Sequence, residues 1–238
     1  MVNGHHVQVT CPVDICSKAT VKLSPGPGTV EGPEDSPKAR MAVRLTLAHV
    51  GREEFDARLH LESPLPREKG MGSCTADVAA AIVATAAALG QRLSPQDVAE
   101  IALQVEPSDG VMIPGVALFD HRDGKVAREL GSAPVMRVLV LDFGGTVDTG
   151  TFNALDRMET LMRQAPRVKE ALAMITEGLR DGDIGLIGKG ATRSALTHQH
   201  VFPNAHLRDV MRFARQAGAV GVNLAHSGTV LGVLFDDD

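Results

Sequence analysis

"PREKGMGSCTAD" (66–77) runs from a proline through two glycines into a stretch of small residues, Val78 to Leu89, that carries no charge. Gly70 and Gly72 allow backbone geometries closed to other residues and let a ligand approach the main chain closely. Ser73, Cys74 and Thr75 then open a helix, whose first turn offers unpaired N–H groups and the positive end of the helix dipole, a ready site for phosphate. Lys69 adds a cation just ahead of it. The alanines behind permit close packing on a sheet, which would hold those donors still. A glycine turn with a Ser/Thr cap on a buried helix has the same composition, so motif grammar has to separate the two.

Two phosphate-binding grammars fail. A P-loop places Lys-Ser/Thr directly after its last glycine, whereas Lys69 precedes Gly70. A dinucleotide fingerprint needs a third glycine where Thr75 stands.

The rest of the chain bounds what the turn can serve. The 238 residues suffice for one large domain or two smaller ones. With 24 basic and 29 acidic residues the net charge is -5 and no basic stripe is present, which argues against nucleic acid as partner. The apolar run 78–89 is too short and too rich in alanine to span a bilayer, so no membrane partner is expected. "MVNGHHVQVTCPVD" lacks the charged and apolar regions of a signal peptide, and the expected location is cytoplasmic. Cys11, Cys16 and Cys74 read as reduced thiols.

Along the chain, "HVQVTCPVD", "KATVKL", "RMAVRLTLAHV" and "FDARLHLES" alternate as strands do, with a Pro/Gly loop at 24–39. Ser94-Pro95 with Asp97 starts a helix through Leu103, and "GVALFDHRDGKVAREL" reads as a hairpin turning at Asp123-Gly124. "VMRVLVLDFGG" (135–145) is an apolar strand. "TFNALDRMETLMRQA", "PRVKEALAMITEGLRDG" and "LRDVMRFARQAG" have helical periods, and two short strands, "AVGVNLAHS" and "TVLGVLFD", close the chain. These elements make an α+β protein with a domain boundary near residue 133.

"HRD" (121–123) and "DFG" (142–144) imitate protein-kinase signatures, but Arg128 stands where an asparagine should hold the metal. His5, His6, His198 and His200 lack a third ligand at a meaningful spacing for a metal site.

"PREKGMGSCTAD" does resemble the second motif of the GHMP small-molecule kinases, a proline, three variable residues and Gly-Leu-Gly-Ser-Ser-Ala around ATP phosphates. Met71 stands for the leucine, Cys74 for the second serine and Thr75 for the alanine. "GAVGVNLAHSGTVLGVLF" (218–235) is similar to that family's C-terminal motif, and "VEPSDG" (105–110) sits where the family has an acidic residue for Mg2+ and, in several members, a catalytic aspartate. The wording "CPVD", "EPSDG", "LFDH", "DFGGTVDT" and "AHSGTV" resembles in particular the L-threonine kinases of cobalamin biosynthesis.

The resemblance implies a two-domain GHMP kinase fold, with a ribosomal-S5-like ATP-binding domain over 1–133 and a ferredoxin-like domain over 134–238. It also implies a further N-terminal strand with a Gly-Glu-Leu type segment, a region inside which Met1 falls. The implied reaction moves the ATP γ-phosphate to the hydroxyl of L-threonine, for the aminopropanol linker of cobalamin. A kinase for another hydroxylated metabolite such as homoserine, or a GHMP fold that binds without turnover, is the alternative.

Phosphoryl transfer asks for donors around the phosphates, Mg2+ to bridge them, and a base for the attacking hydroxyl. On the matching positions, Pro66, Gly70, Met71, Gly72, Ser73, Cys74 and Thr75 would surround the nucleotide, with Ser227 and Gly228 closing on it. Glu106, with the hydroxyl of Ser73 or Thr75, would hold Mg2+, since a hard cation prefers oxygen. Asp109 is the expected base and Lys69 the assisting cation, a turn at Pro107-Ser108 bringing both carboxylates together. Asp14, Asp148, Arg193 and His226 are candidates for the substrate's ammonium and carboxylate.

Overall fold

The computed structural model describes residues 1–147, 152 and 157–237. In chain order the described elements are β1 (Val7–Val9), β2 (Lys18–Pro25), β3 (Val30–Glu31), α1 (Pro37–His49), β4 (Phe55–Glu62), α2 (Ser73–Ala88), α3 (Pro95–Val105), β5 (Val116–Asp120), β6 (Ala127–Gly131), β7 (Met136–Leu141), α4 (Met158–Asp181), α5 (Ile184–His198), α6 (Leu207–Gln216), β8 (Gly221–Leu224) and β9 (Leu231–Asp236). They divide into two compact units that interleave along the chain. One comprises Thr10–Leu65 and Gly72–Arg128; the other comprises Met1–Val9, Pro66–Met71 and Glu129–Asp238.

In the first unit, β2 pairs antiparallel with β4 from Lys18↔Glu62 to Pro25↔Phe55, and β3 joins β4 in parallel. Alternation puts Val21, Ala57 and Leu59 in the core. Against them pack Ala42, Val43 and Leu47 of α1, Val78, Ala81 and Ile82 of α2, and Val98, Ile101 and Ala102 of α3. α3 starts with a full capping box between Ser94 and Asp97. At 0 % exposure, Ile82 contributes about 2–3 kcal/mol through burial alone.

α1 corrects the strand expected from "RMAVRLTLAHV". Its buried residues, Ala39, Ala42, Val43, Thr46 and Leu47, recur at three- and four-residue steps, and Ser36-Pro37 starts the helix. Met41, Arg44 and Ala48 are exposed between the buried pairs Ala42-Val43 and Thr46-Leu47, a helical rather than a two-residue spacing.

In the second unit, β7, β9 and β8 form an antiparallel sheet in that order. Val222, Leu231 and Val233 meet Ala195 of α5 and Leu207, Val210 and Ala214 of α6. Two expectations change here. The chain passes through Pro166 as one helix, α4, where two helices were expected. Residues 184–198, to which the sequence reading assigns no element, form α5. Its glycines are contacts: a Cβ at Gly190 would press on Ala171 and Ile175 of α4, and one at Gly188 on the backbone of Val220 and Gly221. Among the described residues no helix is long and apolar enough to cross a membrane.

Candidate active site

α2 is entered through Gly72, whose φ of 66° and ψ of 19° are left-handed. The first ladder bond runs from the Ala76 N–H to the Gly72 carbonyl at 2.9 Å, and no side chain caps the helix start. The amides of Ser73, Cys74 and Thr75 therefore precede the helical ladder, at the positive end of the dipole. Ser73, Thr75 and Asp77 are buried, while Cys74 reaches the surface. Asp77 accepts the Ser17 hydroxyl at 2.5 Å, and the Ser17 hydroxyl lies 3.0 Å from that of Ser63, which ties two neighbouring segments to the N-terminal part of α2.

The turn after α3 meets the same helix start. Ser108 shapes it by donating its hydroxyl to the Glu106 carbonyl at 2.9 Å and its N–H to the His121 carbonyl at 2.9 Å. The Asp109 N–H donates to the Thr75 hydroxyl oxygen at 3.2 Å. A Cβ built on Gly72 would lie 3.0 Å from Asp109 Oδ2, so the carboxylate occupies the space a side chain at Gly72 would need. Five expected site residues, Gly72, Ser73, Thr75, Glu106 and Asp109, thus come together within one unit.

Glu106 pairs with a residue the sequence reading missed. Lys38 Nζ, on the first turn of α1, lies 2.5 Å from Glu106 Oε2, whereas Glu106 Oε1 is buried and without a hydrogen-bond partner. The signal for Lys38 was the Ser-Pro helix start, hidden once α1 was taken for a strand. For Lys38, desolvation acts to lower the pKa, but hydrogen bonding and charge at Glu106 and Cys74 outweigh it and the net shift is upward. The Cys74 thiol is pushed up to about 12, first by desolvation and then by the Glu106 carboxylate, with Lys38 opposing. Although Cys74 has surface access, the protein packed around its sulfur keeps it a protonated thiol at neutral pH.

This donor set fits Mg2+. An unsatisfied buried carboxylate oxygen next to a helix N-terminus with a serine hydroxyl suits a hard cation that keeps most of its water and binds phosphate oxygens. Among the described residues no three or more His, Cys, Asp or Glu are grouped to cage a metal by themselves.

The residues just before Gly72 belong to the other unit. There the Lys69 carbonyl accepts the N–H groups of Thr229 at 3.0 Å and Val230 at 3.3 Å, and Glu68 O accepts the Val147 N–H at 3.1 Å. Gly70 has φ 83°, and a Cβ there would lie 2.5 Å from that of Ala225 and 2.8 Å from Gly228 Cα. Gly228 is buried against this loop and Ser227 half-buried beside it, while Pro66 is exposed and Met71 half-buried. Lys69 Nζ lies 2.9 Å from Asp142 Oδ2 and donates to the Gly145 carbonyl at 2.7 Å. The "DFG" stretch thus supplies an anchor for the lysine that precedes Gly70. Asp142 is held below the usual carboxylate range by the hydrogen bond from Lys69 and by the Gly144 N–H.

Of the substrate candidates, Asp14 is exposed between β1 and β2, and Arg193 is exposed on α5, paired with Glu170. The His226 ring packs 5.2 Å from that of Phe152, and its carbonyl accepts from His198 Nε2 at 2.9 Å. Asp148 lies outside the described residues.

Two family descriptions match the chain: GHMP kinases N terminal domain over residues 38–117 and GHMP kinases C terminal over 175–238. An L-threonine kinase of Salmonella typhimurium is 30 % identical over 236 residues, covering 98 % of this chain and 77 % of that protein. A homoserine kinase of Moorella thermoacetica is 26 % identical over 212 residues, covering 85 % of this chain and 70 % of that protein. The crystal structure of L. major mevalonate kinase in complex with R-mevalonate superimposes with a TM-score of 0.75 at 16 % identity, covering 99 % and 84 % of the two chains, a likeness of fold. Both terminal family domains and the similarity over 98 % of this chain agree with the glycine turn that enters α2: the chain belongs to the GHMP kinase family of ATP-dependent phosphotransferases that act on an alcohol group.

Proposed function

We propose that this chain is an L-threonine kinase that forms O-phospho-L-threonine from ATP, with the product serving the aminopropanol linker of cobalamin in the cytoplasm. The observation that carries the choice of substrate is the 30 % identity to an L-threonine kinase across 98 % of the chain. A homoserine kinase is the second reading, favoured by the 26 % identity to one such enzyme. In this reading residues 1–133 form the ATP-binding domain and 134–238 its C-terminal partner.

The residues divide the work by their chemistry. The amides opening α2, the glycines at 70 and 72, and the hydroxyl of Ser73 receive the phosphates. Pro66, Met71, Cys74, Ser227 and Gly228 shape the nucleotide-binding loops. Lys69, tied to Asp142 and Gly145, fixes the approach to Gly70 and adds positive charge. Glu106 Oε1 and the Ser73 hydroxyl, with Thr75 beside them, would hold Mg2+, which neutralises phosphate charge when bound. Asp109 takes the proton of the attacking hydroxyl at Oδ2, held in place by its N–H bond to Thr75.

The test is ADP release from ATP and Mg2+ with L-threonine, L-serine, L-homoserine or no acceptor. Release with L-threonine, with phosphothreonine identified by mass spectrometry, is the expected result. Preference for homoserine selects the second reading, and nucleotide binding without turnover on any acceptor refutes both.

A further inference from the structure

Lys38 and Glu106 stand where three elements end together: the start of α1, the first turn of α2 and the end of α3. The carboxylate is used unevenly, with Oε2 paired to the ammonium and Oε1 buried without a partner. A buried acceptor left unmade is costly, and so is a buried carboxylate without a counter-charge. The lysine supplies that charge from a long, flexible stem, and its side chain remains 48 % exposed against 11 % for the glutamate. One partner is therefore fixed by burial and the other is free to swing outward.

We propose that Lys38 is a positioning residue, a resident counter-cation that holds Glu106 at the phosphate helix until a divalent cation takes the carboxylate, and that it opposes that cation. This rests on the reading of Glu106 as a metal ligand. Before the metal arrives, the lysine pairs with Oε2 and leaves Oε1 buried and unpartnered at the site. Once a divalent ion sits on Oε1, the ammonium a few ångströms away repels it, and the two cations compete for one carboxylate. Metal affinity is set lower than Glu106 alone would give, which favours metal that arrives together with nucleotide phosphates over metal alone.

The test is Mn2+ binding to the purified chain with ADP held constant, read by the paramagnetic resonance of bound ion, together with thermal unfolding. The parent, Lys38→Gln, Lys38→Arg and Glu106→Gln are compared. Glutamine keeps a donor for Glu106 and removes the charge, so the variant folds with a lowered Tm and binds Mn2+ about tenfold more tightly, the effect of removing one positive charge near a divalent ion. Arginine keeps the parent affinity, and Glu106→Gln loses the bound signal. Unchanged or weaker Mn2+ binding in Lys38→Gln, with the signal still lost in Glu106→Gln, overturns the counter-cation proposal alone. A signal that persists in Glu106→Gln, or is absent from every chain, overturns the metal reading beneath it.

Discussion

The hydroxyl oxygen of Thr75, in the first turn of α2, accepts the backbone N–H of Asp109 at 3.2 Å. This bond joins the start of α2 to the turn that carries both carboxylates, within a single compact unit. Thr75→Val keeps the shape and removes the acceptor, so a backbone N–H loses its partner at a cost of about 1–2 kcal/mol. Thr75→Ser retains the oxygen and stays close to the parent. The expected result is a kcat loss in the valine variant larger than its drop in Tm suggests, because the position of Asp109 is disturbed; equal kcat in both variants removes the bond from the mechanism.

Asp109→Asn tests the base itself. The side chain keeps its size over Gly72 but no longer accepts a proton, so kcat falls by about 10²–10⁴-fold while KM for ATP changes little. A variant that retains most of its kcat shows that proton removal needs no carboxylate here.

Cys74→Ser restores the serine that the family motif has at this position. With its pKa at about 12 the thiol is neutral at working pH, so it lends the site neither charge nor nucleophile. Serine is expected to leave turnover unchanged or raise it, measured as kcat with L-threonine. A large loss assigns the thiol a role of its own.

Gly228→Ala tests the loop that carries Gly70. The added Cβ would fall on the Lys69 carbonyl, backbone that already serves Thr229 and Val230. The loop must move, and the expected outcome is weaker ATP binding with destabilisation of about 1–3 kcal/mol, typical of overpacking. Calorimetric titration with ATP and thermal unfolding read the two effects separately.

The meeting of these residues around the start of α2 was legible to the extent that their grammar is local. The glycines at 70 and 72, the hydroxyls at 73 and 75 and the acidic pair at 106 and 109 lie at fixed offsets within short segments. What stayed hidden depends on packing. α1 looks like a strand until the burial of Ala39, Ala42, Val43 and Leu47 on one face is known, and Lys38 disappeared with it. α5 is obscured by Gly185, Gly188 and Gly190, which lower helix propensity, yet Gly190 allows close contact with α4 and Gly188 with the start of β8. Pro166 signals a break, but the flanking turns continue through it as α4.

His198 gives the protein a pH dependence separate from catalysis. Desolvation lowers its pKa from 6.5 to about 4; the His226 carbonyl opposes the shift and the charge of Arg157 adds to it. The ring is therefore neutral at pH 7 and donates from Nε2 to His226 O at 2.9 Å. The unfolded chain binds this proton more readily than the folded one, so the contribution is fully present above pH 6.5 and is lost as pH falls toward about 4. The full loss is about 3 kcal/mol, of which roughly 2 kcal/mol is gone by about pH 5. His198→Gln keeps a donor for the carbonyl and removes the titration. Urea unfolding between pH 7 and 4.5 is expected to show a steeper decline for the parent than for this variant, and parallel declines in the two chains contradict a buried neutral histidine.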